Sequence, residues 1–467
     1  MASTDDTRAL LEAALTAARA GREQSQLDLF EELRIPGIST LAESRADVRR
    51  NADWLRARLE ALGFTTTLTD VEGGIHPVLQ ADLAGGPGAP TLTIYGHYDV
   101  QPVDPVDLWT SPPFEPEVRD GFVFARGCAD NKGNHMAALK AVEFLVGAGG
   151  APMNIRFLLE GEEEISGPSL PKYLADNADR LKSDYSLIWD GGFSTANQPN
   201  LITGLRGMLY TELEAQGPAI DLHSGIYGGV APNPLNSLAR VLAELKDREG
   251  HVTVPGFYDD VAEPDPEELA RLERPENVEA ILKEEMGATA LEGEPGFDPV
   301  ERIGTRPTLD VNGFIGGFTE PGMKTVIAAA GRAKVSMRLV PNQDPERIFE
   351  AYSRHVQSLA TAGVRITARR LAAARPVLLP WNNTLSRATA AAFESAYGSP
   401  AVFSREGGTI PVTTAFQDHV GGEIVVSGII QNNARPHSPN ENLSLDHFHR
   451  GIEMLIHLIL NLATSSS

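Results

Sequence analysis

Apolar residues recur at helical spacing over 5–33 and 44–62, with Leu10, Leu11 and Leu15, then Val48, Leu55 and Leu59, marking the buried faces. Compact apolar runs at 65–69, 76–83 and 91–95 predict strands. A helical pattern covers 131–146, and further strand-like runs lie at 154–159 and 183–189. Strands alternating with helices predict an α/β core with a mostly parallel sheet covered on both faces. The texture changes near 204–207. Residues 208–216 alternate, 234–246 read as a helix, and 255–300 are acidic and proline-rich with a helical piece over 266–286. Strands are predicted at 325–330, 333–340 and 364–369, with a helix at 345–359 between the last two. The α/β texture then resumes with a helix at 384–397, a strand at 423–426 and a last helix at 445–463. The expected organisation is an α/β domain built from 1–205 and 381–467, interrupted by an inserted α+β domain over 206–380.

The chain has 467 residues, enough for two or three domains at about 150 residues each. Apolar residues make up 42% and charged residues 22%, which excludes disorder over most of the chain. Asp and Glu number 63 against 40 Lys and Arg, a formal net charge of −23. That charge argues against nucleic acid and against an anionic membrane surface as the main partner. The single Cys128 cannot form an internal disulfide, so a reducing cytoplasm is the expected location. The first residues read as an amphipathic helix and not as a signal peptide. The apolar stretch at 451–463 is too short to span a bilayer and is interrupted by Glu453 and His457.

Five polar clusters stand out against this frame, most of them at the ends of apolar elements. His97-Tyr98-Asp99 closes the strand TLTIYG. Asp130 lies in GCADNKG, at a loop-to-helix junction. Glu160-Gly161-Glu162-Glu163-Glu164 follows the strand NIRFLL. Asp190 follows the apolar run ending in Trp189. His437 sits between two prolines in RPHSPNE. Open α/β sheets place their sites in loops at the carboxyl ends of strands. Each cluster also has a structural reading. A His beside an Asp can be a packed pair, Asp130 can be an N-cap, and a charge run can be a solvated face. Together, two histidines and three carboxylates suit two divalent cations with one acid bridging. The sequence contains no GxSxG, HExxH or GxGxxG.

These residues resemble the M20 metallopeptidases, and within them the carnosinase-like cytosolic dipeptidases. The matching stretches are GHYDVQP, WTSPPFEPEVRDGFVFARGCADNKG, EGEEEISGPSL, LRGMLYTELE with HSGIYGG, AKVSMRLVP, SREGGTIPV and RPHSPNEN. They follow the family's order over nearly the whole chain. The resemblance implies a zinc-peptidase catalytic domain over 1–205 and 381–467 and a lid and dimerisation domain over 206–380. It implies His97 and Asp190 on one metal, Glu164 and His437 on the other, and Asp130 bridging. Glu163 would be the general base, and Asp99 would orient His97. His223, in the insert, would reach the partner subunit's site and stabilise the oxyanion. Arg338 would grip the substrate carboxylate, helped by backbone N–H groups of the turn Gly407-Gly408-Thr409. The implied cofactors are two divalent ions per subunit, zinc, with manganese or cobalt as alternatives. The implied activity is amide hydrolysis of dipeptides or short peptides with a free C-terminal carboxylate, in a homodimer. The alternative on the same site is hydrolysis of N-acyl or N-carbamoyl amino acids. One departure is the Ser166-Gly167 order, where the family has Gly-Ser.

Overall fold

The computed structural model describes residues 4–194, 196–408 and 410–465. They form two compact units: 1–203 with 379–404 and 412–467, and 204–378 with 405–411.

The first unit is an α/β layer structure. Its sheet runs in the order Thr65–Thr69, Val78–Leu83, Asn154–Glu160, Thr91–His97, Tyr185–Ile188, Glu423–Val426 and Asn200–Leu205. The four central strands, from Asn154–Glu160 to Glu423–Val426, pair in parallel, and the flanking pairs are antiparallel. The strand Thr91–His97 is buried along nearly its whole length, as a central parallel strand covered on both faces must be. Helices Lys132–Ala148, Thr384–Tyr397, Leu445–Ser465 and Thr4–Ala20 pack against one another beside it. Leu92, Ile94, Met136, Phe157, Leu187, Val425 and Ile456 share one core.

The helical pattern expected over 5–33 is two helices, Thr4–Ala20 and Arg22–Leu33. They break at Gly21, where a Cβ would stand 2.8 Å from the Phe144 ring, so glycine lets the bend approach the helix behind it. Among the described residues, no helix is long and apolar enough to cross a membrane.

The second unit is built on a four-stranded antiparallel sheet in the order Thr308–Gly316, Ala330–Leu339, Gly207–Gln216, Arg365–Ala374. Val335, Met337 and Leu339 alternate into a core with Leu209, Leu213, Leu238 and Tyr352. Helices Pro234–Glu244 and Pro345–Ser358 cover that face. Each starts on a side-chain cap, Asn233 or Asp344, followed by a proline in the first turn. The strand Thr308–Gly316 was not predicted, and the helical piece expected over 266–286 is two short helices, Pro266–Arg271 and Val278–Met286, with Pro275 between them.

Candidate metal centre

In the first unit, strand register brings the polar clusters together. His97 is the last residue of its strand and pairs with Glu160. On the other side Tyr95 pairs with Ile188, so Asp190, two residues further on, comes level with His97. His97 Nε2 lies 3.0 Å from Asp130 Oδ1 and 3.5 Å from Asp190 Oδ1. Its Nδ1 faces Asp99, 3.1 Å from the backbone carbonyl oxygen and 3.4 Å from Oδ1. An imidazole held this way at Nδ1 presents Nε2 as its ligating atom.

A second cluster shares Asp130. His437 Nε2 lies 3.0 Å from Asp130 Oδ2 and 3.2 Å from Glu164 Oε2. One oxygen of Asp130 therefore faces each imidazole. The ligand atoms of His97, Asp130 and Asp190 lie within 4.8 Å of one another, as do those of Asp130, Glu164 and His437. Arg435, His437 and Asn440 all have positive φ, so the 435–440 loop adopts backbone that side chains rarely favour in order to aim His437.

The electrostatics fit a site that demands cations. Burial opposes charging His97, yet Asp190, Asp130 and Asp99 raise its pKa well above the ordinary value. Hydrogen bonds to Asp130 and Glu164 raise His437 to about 10. Burial works to raise Asp130, but His437 and His97 hold it well below the usual carboxylate range. Burial pushes Glu163 up to about 9, with Asp190, Glu164 and Asp130 adding to the shift and His97 opposing it. Crowded carboxylates need nearby positive charge, and protonated imidazoles are the charge this chain itself can supply. Two divalent ions on the same nitrogen and oxygen donors would supply it in their place. The donor set therefore fits the implied cations: one His and one terminal carboxylate for each, with Asp130 shared.

Several buried groups hold these ligands. Glu441 is fully buried 311 positions from Asp130. Its Oε1 accepts from the N–H groups of Ala129 at 2.9 Å and Asp130 at 3.0 Å. Its Oε2 accepts from Gly127 N–H at 2.9 Å and from Arg126 Nη1 at 2.7 Å. Asn131 Nδ2 donates to Asp190 Oδ1 at 2.6 Å. Gln101 Nε2 donates to Glu164 Oε2 at 2.8 Å, and Asp99 Oδ2 accepts from Glu164 N–H at 3.2 Å. Asp99 thus touches one ligand of each cluster. Sequence reasoning assigned no side-chain role to Glu441, Asn131 or Gln101, although all three lie in the motifs quoted above. Glu162 accepts from the N–H groups of Ile75, His76 and Ser169, so it braces a loop and faces no ligand. Cys128 is buried and its thiol is pushed well up by burial. His135 meets Glu32 at 2.7 Å in the interior.

The remaining predicted residues lie in the second unit. His223 is exposed, and its Nδ1 accepts from Gly225 N–H at 2.9 Å at the start of the short helix Ser224–Tyr227. Arg338 is half-buried on the sheet face opposite Val335 and Met337. Arg206 is close enough that the charge of Arg338, after burial, helps press its pKa down to about 10. Arg206 Nε also donates to the carbonyl of Gly407 at 3.3 Å. The glycine turn at 407–408 therefore lies against Arg206. Gly408 is exposed there, and Thr409 lies outside the described residues.

Residues 93–461 match the peptidase family M20/M25/M40. The Beta-Ala-His dipeptidase of Rattus norvegicus is 31% identical over 83% of this chain and 80% of that protein. The Cys-Gly metallodipeptidase of Schizosaccharomyces pombe is 30% identical over 92% of this chain and 94% of that protein. The solved structure of a dipeptidase from Saccharomyces cerevisiae superposes with a TM-score of 0.82 at 27% identity, covering 98% of this chain and 99% of that one. With a site of shared acid and two histidines on this fold, the chain belongs to peptidase family M20/M25/M40 and is a metallopeptidase.

Proposed function

We propose that this protein hydrolyses dipeptides that carry a free C-terminal carboxylate. The observation that carries the reading is the pair of clusters joined through Asp130, with the half-buried Glu163 carboxyl beside them. The relatives named for Beta-Ala-His and Cys-Gly dipeptides favour a peptide over an N-acyl amino acid.

His97 and Asp190 would hold one cation, Glu164 and His437 the other, with Asp130 between them. Divalent ions held there, zinc in the first instance, would supply Lewis-acid chemistry, lowering the pKa of water and polarising the scissile carbonyl. Glu163 accepts the proton of the attacking water and passes it to the leaving amine. In the metal-free chain burial and the neighbouring carboxylates push its pKa up to about 9, and the charge of bound divalent ions would lower it so that the carboxylate can take that proton. Asp99 orients His97, and Glu441 keeps the Asp130 loop in place. Arg338 and the Gly408 turn receive the substrate carboxylate, and the nearby Arg206 supports that role by deepening the positive potential.

The insert 206–380 serves as a lid and as the contact of a homodimer, through which His223 stabilises the oxyanion of the partner subunit's site. Exposed Ile226, Val230, Ile315 and Met323 in that insert are in keeping with a surface covered by a second copy. The location is the cytoplasm. The test is turnover by metal-loaded protein of a panel of dipeptides and N-acetyl and N-carbamoyl amino acids, with metal content measured. Hydrolysis of dipeptides that stops on chelation supports the reading. Turnover confined to the acyl or carbamoyl compounds overturns it.

A further inference from the structure

The sequence assigns no role to the acidic, proline-rich stretch 255–300. In the second unit this stretch and the residues after it are braced by their own ion pairs. Arg306 grips Glu294 with two bonds of 2.8 and 2.7 Å, and Arg302 Nε donates to the Glu294 carbonyl at 2.9 Å. Arg274 meets Asp298, and lies 3.4 Å from Glu301. Glu268 points elsewhere. It lies on the helix Pro266–Arg271, which Asp265 caps, and it is 5% exposed. Arg405, 7% exposed, donates Nε to Glu268 Oε1 at 2.7 Å and Nη2 to Oε2 at 2.6 Å. Arg405 stands two residues before Gly407.

The residues that follow this stretch close on Arg405 at a second point. Gly304 packs so near that a Cβ there would lie 2.6 Å from the Arg405 carbonyl oxygen. At Gly407 a Cβ would lie 3.4 Å from Ile303 and 2.6 Å from Arg206 Nη2. The turn is therefore held by the Glu268–Arg405 fork, by the helix end at Ile303–Gly304, and by Arg206 on its carbonyl. A two-glycine turn has much conformational freedom, and a turn that receives a ligand must lose it. A two-bond guanidinium–carboxylate pair fixes orientation as well as distance. Replacing a buried pair by apolar residues is often neutral for stability, so positioning accounts for it better than stabilisation does.

We propose that Glu268 and Arg405 are positioning residues through which the acidic segment sets the Gly407–Gly408 turn for the carboxylate end of the substrate. This rests on the role given to that turn above. The experiment compares a dipeptide with its C-terminal amide on metal-loaded wild type, Glu268→Gln and Arg405→Lys, with metal content measured for each. Arg405→Lys keeps a buried cation opposite Glu268 and decides the matter if Glu268→Gln does not fold.

Wild type should prefer the free acid. Glu268→Gln should raise KM for the acid at least about tenfold, the scale of one lost charge-assisted contact, with kcat and metal content nearly unchanged. Arg405→Lys should shift KM the same way by less. The amide should move little with either. Equal losses on acid and amide, or an unchanged preference in both variants, would overturn the positioning role while leaving the turn's own role intact. A wild type indifferent to amidation would instead remove the turn from carboxylate recognition and the proposal with it.

Discussion

Replacing Glu441 by Gln should release the bridging ligand. The carboxylate accepts four hydrogen bonds, two on each oxygen. Glutamine keeps one acceptor oxygen and turns an NH₂ group toward the donors of the other. Either the Ala129 and Asp130 N–H groups or the Gly127 N–H and Arg126 then face a donor. Two bonds to a charged acceptor, at about 1.5–3 kcal/mol each, are lost. The cost of breaking one side of a buried ion pair, about 3–5 kcal/mol, points to the same range. The loop can recover part of that loss by moving, and Asp130 moves with it. Stability and metal affinity should therefore fall together: the first by about 3 kcal/mol or more, the second by about 10–100-fold, as for other groups that orient ligands. Urea unfolding of the metal-free protein, followed by tryptophan fluorescence, isolates the effect. All four tryptophans (Trp54, Trp109, Trp189 and Trp381) lie in the first unit. Chelator competition gives the affinity. An unchanged urea midpoint with affinity within about twofold of wild type would refute the assignment of Glu441 as the anchor of the Asp130 loop.

Three further outcomes follow from the same geometry. Arg338→Ala should lose roughly 2–4 kcal/mol in kcat/KM on a dipeptide and much less on its C-terminal amide, and equal losses would remove Arg338 from the site. His223→Ala should lower kcat with metal content unchanged. After subunit exchange with inactive Glu163→Gln it should regain activity, and failure to do so would sink the assignment across subunits. Near pH 7.5 the metal-free chain holds protons on His437, at about 10, and Glu163, at about 9. Zinc binding should therefore release about one proton or more per chain in calorimetry across buffers, with affinity rising as pH rises. In the metal-free fold, the raised His437 value gives stability fully present below about pH 6.5 and lost as pH climbs to about 10. Metal binding with no proton release would contradict the charge balance described for the site.

The gathering of candidate ligands was legible because three of them, His97, Glu164 and Asp190, sit at or just past the ends of strongly apolar strands. TLTIYG and NIRFLL could hardly be anything but buried strands; their register sets His97 beside Glu160, and the register of TLTIYG with Tyr185–Ile188 brings Asp190 level with His97. The groups that hold the centre were not legible in the same way. Glu441 sits in a polar loop, and only the folded chain shows its carboxylate accepting from Gly127, Ala129 and Asp130. Arg206, in the run Gly-Leu-Arg-Gly, has no pattern that separates it from a surface charge. The strand Thr308–Gly316 escaped because it is an edge strand of mostly exposed residues, with Asn312 and Gly313 at a bulge in its pairing. Its residues lack the alternation of buried and exposed that marks Ala330–Leu339. The clustering of 405–411 with the second unit is a long-range contact, carried by Arg405 and Glu268, and no local signal encodes it.

The most direct test is the rate and metal content of Glu163→Gln on a dipeptide, beside wild type stripped by a chelator and reloaded with zinc, manganese or cobalt. Wild type should lose turnover on chelation and regain it on reloading. Glu163→Gln should keep about two ions per chain while kcat falls at least ~100-fold, the low end for losing a general base. A Glu163→Gln protein with near-normal kcat, or a wild type that turns over fully without metal, would contradict the account.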